Sequence, residues 1–283
     1  MTQMLHRLQQ PWVASIAIFV GFICIWAWFT TTTSGSGSAA DAEYARLAGQ
    51  SAPGQQASAI PSPWAVALRG YELIAHALDR DNPNNLGIAW HLLYSMGRVA
   101  LGFTLALAVA VPLGFVLGLW PACYRALDPF IQVLRPVSPL AWMPLALYTF
   151  RDSTISTIFI IFICAVWPML ISTATGTASV RAEWLNVSRV FGVPRLEHVT
   201  RVVFPASVPM ILSGMRISIG IAWFVIVAAE MVGAQSGIGY FIWNEWNNLQ
   251  IASMIVAIVL VGGIGLALDV ILKRIGERLS FRE

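Results

Sequence analysis

Residues 179–205 read SVRAEWLNVSRVFGVPRLEHVTRVVFP. The stretch is a polar pause between long apolar runs, and it carries Arg181, Arg189, Arg195 and Arg201. Leu185, Val190, Leu196, Val199 and Val202 fall at roughly helical spacing within it. Gly192 suits the stop of one short helix, because glycine tolerates the left-handed backbone that closes a helix. Pro194 suits the first turn of the next, where an N–H would go unbonded anyway. The stretch predicts a helix–glycine–helix elbow at a membrane surface, a shape made to be gripped by another protein.

The membrane follows from composition. Of 283 residues, 57% are hydrophobic and 11% charged, with mean hydropathy +0.70, against about 25% charged in a soluble domain. An all-α integral membrane protein is expected. One lysine, Lys273, stands against sixteen arginines, and the net charge of +3 follows membrane topology rather than nucleic-acid binding. Cys24, Cys123 and Cys164 are isolated; they are expected as small core hydrophobes, with no disulfide framework or thiolate metal site. A phosphate-cradling G-x-x-x-x-G-K-[ST] loop is excluded, since the only lysine lies in Leu272-Lys273-Arg274. His6, His76, His91 and His198 lack metal-ligand spacing. No nucleophilic grouping can be assembled either. Neither catalysis nor a cofactor is expected in this chain, and energy for any work must come from a partner chain or an ion gradient.

A spanning helix needs ~20 apolar residues. The first is expected over 11–29, retained as an anchor because a signal peptide's apolar region is shorter, about 7–15 residues. Residues 1–29 thus form an N-terminal end and first span. Residues 30–87 form a polar outer segment, opening with the linker Thr30-Thr31-Thr32-Thr33-Ser34-Gly35-Ser36-Gly37, expected to be partly disordered to about residue 60. A helix lying on the membrane surface is expected over 64–78, after Pro61-Ser62-Pro63. Residues 88–272 form a five-helix core with spans at 88–119, 129–150, 154–177, 206–232 and 250–272, and 273–283 is a tail. Basic residues collect on the cytoplasmic side, which puts the arginine-rich 179–205 loop and both termini there. Residues 30–87 and the turn Arg151-Asp152-Ser153 then face outward. No internal repeat is visible.

The elbow resembles the coupling motif of ABC-importer permeases: E-A-A, three residues, G, nine residues, I-x-L-P. Its opening positions fall on Asn186, Val187 and Ser188, then Gly192, then Val202-Val203-Phe204-Pro205. The spacing fits; the glutamate and both alanines are missing and Phe204 stands for leucine, as in the nitrate, bicarbonate, taurine and alkanesulfonate branch. Further stretches resemble that branch from about residue 60 to 272, among them Ser95-Met96-Gly97-Arg98-Val99, Arg135-Pro136-Val137-Ser138-Pro139-Leu140-Ala141-Trp142-Met143-Pro144 and Ser236-Gly237-Ile238-Gly239-Tyr240. Leu147–Ser153 and Ile242–Asn248 look most like the nitrate permease and its bicarbonate cousin. The resemblance implies a type I ABC-importer fold, a homodimer, two cytoplasmic ATPase subunits that bind ATP and magnesium, and an external or lipid-anchored solute-binding protein. The elbow would dock into a groove on the ATPase, with Gly192 giving close approach and Arg189 and Arg195 meeting acidic residues. An ordinary amphipathic loop with solvated arginines is the plain alternative.

Charges inside a bilayer cost about 2.5–3.5 kcal/mol at the centre on insertion scales, so each asks for a reason. Arg216 lies eleven residues past Pro205, which at 1.5 Å per residue is ~16 Å into a ~30 Å core. Arg216, Gly220, Trp223, Val227 and Glu230 form one helical stripe, expected to border a cavity between two permeases. Arg216 would attract an anion there or serve as a structural ion pair; Trp223 would gate or simply pack. Glu230, ~21 Å along the axis from Arg216, needs its own partner and would order the outer end of the dimer. Arg98 is either a pathway cation or a structural arginine fixing carbonyls. Asp269 is expected to pair with Lys273 at i+4. Pro136, Pro139 and Pro144 should bend the third span, making 135–144, Met143 included, a hinge or pore lining.

The expected function is import of a small inorganic anion, nitrate or nitrite, driven by a partner's ATP. Bicarbonate, taurine or another sulfonate are alternatives within the family. A secondary transporter or a membrane anchor subunit are alternatives outside it.

Overall fold

The apolar runs are helices, and prolines or glycines mark many of their ends. The computed structural model describes residues 11–33, 60–80 and 86–279, and every regular element among them is helical. In chain order these are α1 (Pro11–Thr33), α2 (Pro63–Ala75), α3 (Ile88–Leu119), α4 (Pro121–Leu134), α5 (Pro139–Phe150), α6 (Ser153–Ala178), α7 (Ala182–Val190), α8 (Arg195–His198), a π-helical turn (Val199–Val203), α9 (Phe204–Gly233), α10 (Ile238–Asn247) and α11 (Ile251–Leu279). Five stretches among the described residues are long and apolar enough to cross a bilayer: Ala14–Thr31, Ile88–Leu119, Ser153–Ala178, Leu196–Gly233 and Ile251–Arg278. Most of the expected linker (34–59), residues 1–10 and the tail end 280–283 lie outside the described residues.

The chain divides into two units. The first holds α1, α2 and Glu245–Val256. Around α1, Ile18, Phe19, Val20 and Trp28 are all exposed, the pattern of a helix meant for lipid on every side. At the start of α2, Ser62 accepts a hydrogen bond from the Ala65 N–H, and Pro63 takes the first turn. Trp64, Leu68 and Tyr71 are exposed along one side of this helix. From another side, Arg69 Nε donates to Ser253 Oγ at 2.9 Å and Nη1 to Glu72 at 2.9 Å. A hydrogen bond across 184 residues leaves no trace in local periodicity.

The second unit holds Ala77–Asn244 and Ala257–Glu283. Its largest interface joins α3 to α6. Gly102, Ala106, Ala110, Gly114 and Gly118 recur every four residues of α3, and a seam of small residues lets membrane helices approach closely. A Cβ on Gly102 would stand 2.7 Å from Ile161, and one on Gly114 2.6 Å from Thr173. On the other side of α6, a Cβ on Gly214 of α9 would stand 2.5 Å from Ser172, and Ser218 Oγ donates to the Ala165 carbonyl at 2.7 Å.

The span expected over 129–150 is two helices, α4 and α5, bent by 93°. Trp120 and Ser138, each before a proline, have extended ψ of 90° and 132°, because proline's ring disfavours the α conformation in the residue ahead of it. The helix therefore begins at Pro121 and breaks at 135–138. At the next turn Arg151 takes a left-handed φ of 53° and Asp152 caps α6, accepting from Ile155 N–H at 2.8 Å. The last helix runs to Leu279 rather than ending at 272. The cysteines are corrected too: Cys24 and Cys123 are exposed and only Cys164 is half-buried, since an apolar residue on a membrane helix can face lipid as readily as a core.

Candidate functional site

The elbow forms as its residues dictate. Gly192 has φ +63°, Val193 N–H reaches back to Ser188 O at 3.1 Å and Phe191 N–H to Val187 O at 3.1 Å; the first of these bonds is the six-to-one closure of a Schellman stop. His198 N–H then bonds Pro194 O at 2.9 Å, opening the second arm. Ser188 Oγ and His198 Nδ1, 2.7 Å apart, tie the arms together. The second arm is not a separate helix, as expected, but runs on through the π turn into α9. Pro205 has no N–H to give, and just upstream the ladder widens, with Phe204 N–H bonding Val199 O. Asn186 and Pro205 are exposed, while Ser188 is buried inside the bend. Val187, Val190, Phe191 and Leu196 present an apolar patch, Phe191 79% exposed. The side chains of Arg189 and Arg195 lie outside the described residues.

A buried polar node fixes the far end of α9. Glu230, 0% exposed, accepts from Ser95 Oγ at 2.7 Å (Oε2) and from Gly239 N–H at 3.0 Å (Oε2). It also accepts from Arg98 Nη1 at 2.6 Å (Oε1). Arg98 donates further to the Ser236 carbonyl and hydroxyl at 2.6 and 2.8 Å. Ile238 N–H donates to Ser95 Oγ at 2.8 Å, and Gly237 N–H to His91 Nδ1 at 3.1 Å. The node clasps α3, α9 and the turn 236–239. Arg98 is thus the carbonyl-fixing arginine, and its partner is the Glu230 that sequence periodicity left unassigned. At Gly237 (φ +115°) a Cβ would overlap the Glu230 carboxylate, and at Gly239 the Val227 carbonyl, so both glycines are required by close approach.

The expected stripe on α9 does not stay on one open face. Trp223 is buried, donating from Nε1 to the Val261 carbonyl of α11 at 2.9 Å; Glu230 is buried against α3. Met143 belongs to the core with Ala146, Ile160, Val225 and Ala229. What remains open is an arc of Ser213, Arg216, Ile217, Gly220 and Phe224, spanning about 100° at 3.6 residues per turn. A groove follows it. One end is a cavity of about 410 Å³ at the α4–α5 break, lined by Arg135, Ser138, Trp142, Trp167, Ile217 and Phe224. The groove continues past Gly220 to Arg216 and Asp269, then to Lys273.

Arg216 pairs with Asp269: Nε donates to Oδ1 at 2.5 Å and Nη2 to Oδ2 at 2.7 Å. The expected Asp269–Lys273 contact is replaced, and Lys273 lies 4.0 Å from Glu277. Asp269 sits ten residues before the end of α11, ~15 Å along its axis, level with a guanidinium whose planar fork matches its two oxygens better than the Lys273 ammonium would. Arg135 lies in the 135–144 stretch expected as a hinge or pore lining, whereas sequence reasoning passed over Asp269 and Phe224 as lining residues. The one available signal was Asp269, a lone carboxylate in an apolar run. No partner for the Arg135 side chain is found among the described residues.

Comparison with known proteins agrees with this architecture. Residues 110–281 match the family described as the binding-protein-dependent transport system inner membrane component. The nitrate import permease protein NrtB of Leptolyngbya laminosa is 40% identical over 217 residues, 77% of this chain and 78% of that one. The bicarbonate transport system permease protein CmpB of Synechococcus elongatus is 38% identical over 217 residues, 75% of this chain and 78% of that one. Among solved structures, an inward-facing MetNI methionine ABC transporter aligns with TM-score 0.60 at 13% identity, covering 74% of this chain and 97% of that one. The secondary-transporter and anchor readings fall away. The chain belongs to the binding-protein-dependent inner membrane component family, and is a multi-pass, non-catalytic permease subunit of an ABC importer with a type I fold, its ATP hydrolysed by a partner ATPase.

Proposed function

We propose that the imported solute is nitrate (with nitrite), passed from an external or lipid-anchored binding protein through a groove shared by two copies of this chain. Arg216, half-exposed in the groove along α9, is the observation that carries this reading; the identity to nitrate permeases supports it. A bicarbonate cargo is the second reading, favoured by relatives named for bicarbonate transport at 38% and 40% identity. Gly220 and Phe224 make the passage beside Arg216 partly apolar, which suits weak holding and quick release. Arg98, Trp223, Met143 and Glu230 support the wall from within. In this reading both termini and the elbow are cytoplasmic and ATP with magnesium stays on the partner subunits. The test is ATP-driven uptake of labelled nitrate by the full importer, with bicarbonate and taurine as competitors. Arg216→Met is expected to lower nitrate uptake about ten- to hundredfold, the worth of one charge-assisted contact, with the complex still assembled. Unchanged uptake removes Arg216 from the pathway, and competition by bicarbonate alone favours the second cargo.

The same reading assigns the elbow to the ATPase, with Asn186, Val187, Ser188, Arg189, Gly192, Arg195 and Pro205 as its framework. The exposed patch of Val187, Val190, Phe191 and Leu196 is the part offered to a groove. Phe191→Glu is expected to lose the ATPase on co-purification, because a carboxylate would be desolvated where an aromatic ring was wanted. Retention of the ATPase at wild-type stoichiometry would show that the grip lies elsewhere.

A further inference from the structure

A carboxylate and a small planar oxyanion present the same thing to a guanidinium, two coplanar acceptor oxygens. In the groove that place is already taken. Asp269 fills the Arg216 fork with both oxygens, at 2.5 and 2.7 Å. The contrast with the other membrane pair is instructive. Glu230 has Ser95 and Gly239 as further donors beside Arg98 and is closed off on all sides. For Asp269 the fork supplies the only hydrogen bonds found among the described residues, and the two side chains remain 45% and 44% exposed. They stand where two open cavities of about 520 and 590 Å³ meet, both touching Arg216. The first pair is locked; the second can be exchanged.

We propose that Asp269 is a resident stand-in for the cargo: it occupies the Arg216 fork while the groove is empty, and a planar oxyanion passes by displacing it. The inference rests on the reading of Arg216 as the pathway cation. An empty groove then holds no bare guanidinium, which would be costly in a bilayer. Lys273 lies one turn further along α11, 58% exposed and only 4.0 Å from Glu277, so a displaced Asp269 has a second cation at i+4. Its return to the fork expels the anion. A halide offers one acceptor atom to the two N–H groups where a planar oxyanion offers two, so the device favours nitrate, nitrite or bicarbonate over chloride.

The experiment uses the assembled importer in nanodiscs without ATP, and titrates it with nitrate and with chloride. Asp269→Asn is expected to bind nitrate about ten- to hundredfold more tightly, because a site that is free only part of the time shows its affinity reduced by that fraction. Arg216→Lys, which keeps the charge and loses the fork, is expected to bind nitrate and chloride alike. In the unaltered complex, the infrared difference between nitrate and chloride should contain a shifted carboxylate stretch, absent from Asp269→Asn. Nitrate affinity within twofold of the parent in Asp269→Asn overturns the proposal. So does an unchanged carboxylate band in the unaltered complex, which decides the matter if Asp269→Asn does not assemble. Full uptake by Arg216→Met sinks the pathway reading itself; loss of uptake there, with unchanged affinity in Asp269→Asn, sinks the stand-in alone.

Discussion

Glu230→Ala is expected to destabilise the folded permease by about 3–5 kcal/mol, the usual cost of stripping one partner from a buried ion pair. The change leaves Arg98, whose side chain is 7% exposed, as a cation whose remaining hydrogen-bond acceptors among the described residues are the Ser236 carbonyl and hydroxyl. It also orphans the Gly239 N–H and the Ser95 hydroxyl, which now bond Glu230, each buried donor adding about 1–3 kcal/mol when unsatisfied. These losses share one node and will not simply add. The measurement is thermal denaturation of the purified complex followed by size-exclusion chromatography. The double change Arg98→Met with Glu230→Leu should be less damaging than Glu230→Ala, since removing both charges leaves nothing unpaired. A melting temperature for Glu230→Ala within a degree of the parent would mean that the node is wetter than its geometry implies.

Gly114→Leu should be comparably severe through a different mechanism. The first added carbon alone would stand 2.6 Å from Thr173 Cβ and 3.0 Å from the Leu170 carbonyl, and the backbone of α6 has no rotamer by which to withdraw. Ala110, immediately one turn earlier, is 0% exposed, so α3 cannot roll to make room. Overpacking of this type costs about 1–3 kcal/mol, and more when the obstacle is backbone. Without a hydrophobic driving force between helices in lipid, close packing is what holds them together. The expected readout is loss of the monodisperse chromatographic peak. Gly97→Leu, on a face where nothing lies within 4 Å, should leave that peak intact. Equal behaviour of the two variants would refute the seam.

The elbow could be read in advance because its signals are local: Gly192 must adopt a left-handed backbone and Pro194 must open a turn, whatever surrounds them. Most span limits were legible for the same reason, except where Trp120 and Ser138 precede prolines and split what hydropathy joins, and where the last helix runs past 272 through the charged residues to Leu279. Partnerships were not legible. Helical periodicity gives the direction of Glu230 or Trp223 around α9 but not which helix waits there, so Arg98 and α11 were missed as neighbours. Asp269 was assigned to Lys273 because i+4 pairs are visible along one strand of sequence, whereas Arg216 is 53 residues away. The four-residue rhythm from Gly102 to Gly118 was present throughout, yet in so apolar a chain small residues stand out less than charges do.

Finally, the five residues of the π turn fix the phase between the grip and the groove. Each bond ring there holds one residue more than an α-helical ring, so the angular offset of Phe191 from Arg216 depends on how many such rings intervene. Shortening Val199–Val203 by a single residue would swing one relative to the other by about 100°, leaving Phe191 and Arg216 themselves intact and losing their alignment. In the proposed coupling, a push on the elbow would reach the guanidinium as a twist about the axis of α9 as well as a shift along it, with the bulge setting the gearing between the two.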